Sequence, residues 1–143
     1  MENNQDTLQR FIFESSPVRG NLVHLGLTLQ MALNKQNLPS GLRQSLGELM
    51  AASALLAATL KMNGSMVLQI QSKGTLKLLV VECTSDDDAP LRMRATAKWS
   101  GEINEQQHLF DQCLIIKAGS PALDIVLPAK RSEERRVGKE CLR

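Results

Sequence analysis

The chain has 143 residues, of which 43% are apolar and 22% charged, with a formal net charge of +2. That length supports one domain with a sizeable core. The net charge argues neither for nor against an acidic partner, but 3% aromatics and no basic stripe leave little support for a nucleic-acid partner.

Three widely spaced cysteines, Cys83, Cys113 and Cys141, have neither the even count of a disulfide framework nor the spacing of a metal site. The polar start MENNQDTLQR is not a secretory signal. The longest apolar run, Leu49 to Leu60, is too short and too rich in alanine to span a bilayer. A reducing cytoplasm is the expected compartment, with no membrane association.

Thr7 to Glu14 (TLQRFIFE) favours a strand over a short helix, because Arg10 to Glu14 alternates. Ser15, Ser16 and Pro17 break it. A first helix is expected over about Asn21 to Asn37, with Asn21 as N-cap and Leu22, Leu25, Leu29 and Leu33 on one face. Pro39 ends it by pushing the preceding residue out of the helical region.

Ser40 to Gly64 reads as one long helix. Leu42, Leu46, Leu49, Ser53, Leu56 and Leu60 form a core-facing stripe. Gly47, Ala51, Ala54 and Ala58 form a second stripe, small enough for another helix or a sheet to come close. Asn63-Gly64 supplies a left-handed stop. The chain before this helix reads mainly as helix, and the chain after it as strands.

The period then changes. Met66, Leu68 and Ile70 alternate with Val67, Gln69 and Gln71, giving a half-buried strand. Ser72 to Thr75 is a turn, and Leu76 to Cys83 is a second, more uniformly apolar strand, expected to pair antiparallel and to lie centrally. Thr84 to Pro90 is expected as a loop with a solvated Asp86-Asp87-Asp88 run, since the alternating ligands of a calcium loop are missing. Leu91 to Trp99 alternates cleanly, with its basic side toward water. Asn104 to Phe110 is a candidate helical turn, Gln112 to Ala118 a fourth strand, and Leu123 to Leu127 a candidate fifth. Arg131 to Arg143 is a charged tail in which the run Arg131 to Cys141 resembles the translation of a sequencing adapter; it is expected to be non-native, the alternative being a solvated tail.

No nucleophile elbow, phosphate loop, dinucleotide fingerprint or zinc-binding helix motif occurs. His24 is read as structural or superficial, His108 as exposed, and Cys83 and Cys113 as small core residues. Arg19 is read as the ion-pair partner of Glu14 or Glu48. These features describe an α+β domain without visible catalytic machinery.

The ordered blocks LQRFIFE (Leu8 to Glu14), VRG (Val18 to Gly20), TLQ (Thr28 to Gln30), GELMAASALLAATLKMNG (Gly47 to Gly64), LQIQSKG (Leu68 to Gly74) and MRATAKWSGEI (Met93 to Ile103) resemble the N-terminal domain of heat shock protein 33. The resemblance covers about Thr7 to Ala118. Gly74-Thr75 and Met93-Arg94-Ala95 depart from the family's Gly-Pro and Met-Arg-Gly. The resemblance implies a redox-regulated, ATP-independent holdase chaperone that binds unfolding proteins, and no enzyme. It also implies that residues 1–130 are a partial client-binding domain, with two N-terminal helices packed on a mostly antiparallel sheet. The family's C-terminal zinc domain, whose four cysteines form the redox switch, is expected to lie outside this chain. No cofactor is therefore expected here, although zinc is expected in the full-length protein, as is a homodimer on activation. The expected client-contacting residues are Leu42, Leu46, Leu49, Leu56, Leu78 and Val80. Two other readings stand beside this one: a self-contained interaction module, and a small enzyme using Cys83, Arg19 and His24.

Overall fold

The computed structural model describes residues 5–60, 63–71, 74–86 and 88–103, and the backbone of 113–119 and 123–127. The helical turn expected near Asn104, His108 and the charged C-terminal run lie outside the described residues. The fold is α+β. β1 (Thr7–Ile12) and β2 (Arg19–His24) form an antiparallel hairpin, followed by α1 (Leu27–Asn34) and α2 (Ser40–Leu60). Then come β3 (Gly64–Gln71), β4 (Leu76–Asp86), β5 (Ala89–Trp99), β6 (Cys113–Gly119) and β7 (Leu123–Leu127). These five strands make one sheet in the order β5-β4-β3-β6-β7, with every pairing antiparallel.

The long helix forms where its periodicity places it. Leu42, Leu46 and Met50 are fully buried, Leu49 nearly so, and together they face β3, β4 and β5. Burying each such side chain contributes roughly 1.5–3 kcal/mol before entropy is counted. Ser53 is the one buried polar residue among those described, and its hydroxyl donates to the Leu49 carbonyl at 2.7 Å, so its burial leaves that hydroxyl satisfied. The sheet answers with Met66, Leu68 and Ile70 from β3 and with Leu76, Leu79, Val81 and Cys83 from β4. The small-residue stripe does receive close neighbours. A Cβ on Gly47 would sit 3.4 Å from Leu29 of α1, and the Arg10 guanidinium of β1 donates to the Ala58 carbonyl at 3.4 Å.

Four expectations are corrected. Residues Arg19 to His24 are strand, not the start of a helix, and α1 is confined to Leu27–Asn34. The Ser15 to Pro17 turn brings this segment back along β1, and pairing from Thr7↔His24 to Ile12↔Arg19 outweighs its helical spacing. Asn21 therefore caps nothing. The amides of Gly26 and Thr28 are instead received by the Asp6 carboxylate, twenty residues or more away in sequence. Second, the loop expected over Thr84 to Pro90 is mostly strand, since β4 runs to Asp86 and β5 begins at Ala89. The ladder runs to the pair Asp86↔Ala89, with an irregularity between Thr84 and Asp86. Third, β4 is an interior strand, paired on both sides by β3 and β5, but only alternate residues of it reach the core, so it is not buried as uniformly as its apolar run suggests. Fourth, Gly64, with φ +128°, is the first residue of β3 and not part of the helix, which is described over Ser40–Leu60.

Candidate functional site

The six residues expected to contact a partner divide into two groups. Leu42, Leu46 and Leu49 are sealed between α2 and the sheet. Leu56, Leu78 and Val80 are half-buried. Leu78 and Val80 lie on the face of β4 opposite α2, beside Lys98 and Thr96 of β5 and Gln71 and Gln69 of β3. They form a narrow apolar strip framed by polar side chains.

A larger exposed apolar surface lies on the β1–β2 hairpin, which the sequence reading did not single out. Strand alternation assigns the two faces. The pairs Leu8↔Val23 and Arg10↔Asn21 face α2, where Asn21 Nδ2 donates to Thr59 Oγ1 at 3.3 Å. The pairs Gln9↔Leu22 and Phe11↔Gly20 face away. The Phe13 amide donates to the Val18 carbonyl at 3.0 Å, so the same register carries Phe13 and Val18 onto the outward face. Leu22, Phe11, Phe13 and Val18 thus form one continuous strip, each between 46% and 59% exposed. The two phenyl rings meet edge to face at 5.8 Å and 88°, a favourable aromatic geometry. Gly20 makes this possible, because the Phe11 ring lies over it in space that a Cβ would occupy. Ile12, 77% exposed, continues the apolar surface around the hairpin tip. The available signal was the run Phe11-Ile12-Phe13. In a strand, three consecutive large apolar residues cannot share one face, so at least one must lie outward.

The residues of the enzymatic reading are not brought together. Cys83 is buried beneath α2, and its thiol is pushed up to about 11, first by burial and then by the Glu82 charge. Arg19 and His24 are exposed at opposite ends of β2. The expected ion pair from Arg19 to Glu14 or Glu48 is absent; among the described residues the ion pair formed is Arg92 to Asp86, at 3.1 Å on the surface. No group of three His, Cys, Asp or Glu side chains among the described residues could hold a metal ion. No helix among them is long and apolar enough to cross a membrane.

A family model for Hsp33 protein matches residues 6–136. The 33 kDa chaperonin of Methylobacillus flagellatus is 63% identical over 100 residues, covering 69% of this chain and 33% of that protein. The 33 kDa chaperonin of Chromobacterium violaceum is 50% identical over 102 residues, covering 71% and 33%. That of Neisseria meningitidis serogroup A is 42% identical over 111 residues, covering 76% and 35%. The chain thus spans about a third of the length of these relatives. With a match along most of its length, the chain belongs to the Hsp33 protein family.

Proposed function

We propose that this chain is the client-holding part of a redox-regulated, ATP-independent chaperone that binds unfolding proteins and keeps them from aggregating. The observation that carries this reading is the continuous apolar strip Leu22, Phe11, Phe13 and Val18, exposed on a hairpin face that turns away from the core. Contiguous exposed apolar surface of this kind marks an interaction site. Leu78 and Val80 add a second, half-buried strip on the sheet face opposite α2, and Leu56 is half-buried on α2 itself, whereas Leu42, Leu46 and Leu49 can meet a client only if α2 lifts from the sheet.

Zinc does not fit the residues present. Cys83 is buried in the core, and no CxC or CxxC pair occurs in the sequence. The proposed redox switch therefore belongs to the portion of the relatives that this chain does not span, and no step of holding is assigned to zinc here. A cytoplasmic location, dimerisation on activation and the absence of nucleic-acid or membrane partners complete the proposal, as does residues 1–130 forming the native domain portion.

The test is light scattering from heat-unfolding citrate synthase in the presence of the chain. Wild type is expected to suppress the scattering, and the double variant Phe11→Ser, Phe13→Ser to lose most of that effect. Equal suppression by both would remove the hairpin from the reading, and no suppression by wild type would remove the holding activity.

A further inference from the structure

Among the described residues β5 ends the five-stranded sheet, and one side of its backbone has no neighbouring strand there. There Gln36, from the connection between α1 and α2, stands in for one. Its Nε2 donates to the Ala95 carbonyl at 2.9 Å, and its Oε1 accepts from the Ala97 amide at 3.1 Å. These groups flank Thr96 and are the two that one residue of a parallel neighbouring strand would engage. A side chain is thus spent on closing part of a sheet edge, and open edges are where other chains pair.

Nearer the start of β5, Leu91 and Met93 open onto a cavity of about 340 Å³ whose other walls include Leu8, Val23, Ala54 and Ala58. A chain laid along the free side of β5 would send alternate side chains into that cavity. Its remaining side chains would lie on the opposite face, beside Arg92, Arg94 and Lys98, all of them exposed. Charge decides the occupant. A second copy of β5, paired antiparallel about Ala95, would set Arg92 against Lys98, and like charges directly opposite are destabilising. Among the described residues Arg92 alone of these three is ion-paired, in a surface contact that contributes little.

We propose that the free edge of β5 is a docking site for an extended segment in which apolar side chains alternate with acidic ones. Gln36 keeps the Ala95 to Ala97 portion of that edge closed. The proposal rests on the holding activity above and specifies how a client segment is seated: apolar side chains in the cavity, carboxylates beside the basic face, backbone paired to β5.

The probes are a short fluorescein-labelled peptide alternating Leu and Glu, its counterpart alternating Leu and Lys, and reduced, carboxymethylated α-lactalbumin, which is permanently unfolded. The acidic peptide is expected to bind better than the basic one and to slow amide exchange at Met93, and in Gln36→Met along Met93 to Ala97 as well. Gln36→Met, which removes both competing hydrogen bonds, is expected to tighten acidic-peptide binding about tenfold. Arg94→Gln, on the exposed face and without a role in the core, is expected to weaken it, so the proposal does not hang on the folding of one variant. Equal binding of the two peptides, or unchanged exchange along β5, overturns it. If lactalbumin is retained while the peptide leaves β5 exchange unchanged, the edge site falls and holding stands. If the peptide protects β5 and lactalbumin is not retained, the holding reading falls and the edge site stands.

Discussion

Leu46→Ala should destabilise the chain far more than Leu60→Ala, although both leucines belong to the same stripe of α2. Leu46 is 0% exposed and seated between α2 and the sheet, whereas Leu60 is 52% exposed at the end of the helix. Truncating a fully buried leucine costs roughly 2–5 kcal/mol, because the lost transfer energy is joined by the cavity left behind. Truncating one that keeps half its surface in water costs under about 1 kcal/mol. The two positions share a helical phase, so the difference arises along the axis: fourteen steps of about 1.5 Å carry Leu60 roughly 21 Å beyond Leu46. Urea unfolding followed by the fluorescence of Trp99, the sole tryptophan and half-buried on β5, measures both variants. With a denaturant slope typical of a small domain, Leu46→Ala should lower the midpoint by roughly 1–2 M, and Leu60→Ala by a small fraction of that. Equal shifts would show that α2 is not seated on the sheet in this way.

Two further outcomes follow from other parts of the fold. Cys83, 1% exposed and with its thiol pushed up to about 11 by burial and the Glu82 charge, should resist a thiol reagent at neutral pH in the native chain and react on unfolding; rapid native-state modification, read by mass spectrometry, would contradict its place in the core. Burial pushes the Asp6 carboxyl up, but bonds from the Thr28 hydroxyl and the Gly26 and Thr28 amides, with the His24 charge, outweigh it and hold the carboxyl below its ordinary value. Its contribution is therefore complete above the unfolded-state pKa and lost as the pH falls through the lower folded value. Asp6→Ala should cost about 0.5–2 kcal/mol at neutral pH, toward the low end because the site is exposed, and should have no effect once Asp6 is protonated. A cost that persists unchanged in acid would assign it to something other than the charge.

The sequence carried the elements whose signals are local. α2 declared itself through repeated leucines three and four residues apart, and β3 and β5 through strict alternation, because each pattern is the burial of one face of one element. The proposed interaction surface was less legible. Leu42, Leu46 and Leu49 are apolar for the sake of the core, and an apolar residue looks the same in a sequence whether it faces a sheet or water. Phe11, Phe13 and Leu22 could be assigned to the outside only once β1 and β2 were paired and one face of the hairpin was turned to α2.

What the sequence determined by itself was the α+β class, the long helix, the change to strand periodicity after it, and the family that its ordered motifs resemble. What the tertiary structure decided was every feature made by residues distant in the chain. Leu22 to Leu33 had helical spacing, yet its first residues became β2, because a turn at Ser15 to Pro17 offered them β1 as a partner. Asp6 became the cap of α1 and Gln36 the stand-in strand at β5, roles that neither residue's neighbours in sequence foretell. Hydrogen bonds across such separations depend on where the chain has already been folded, and local periodicity holds no record of that.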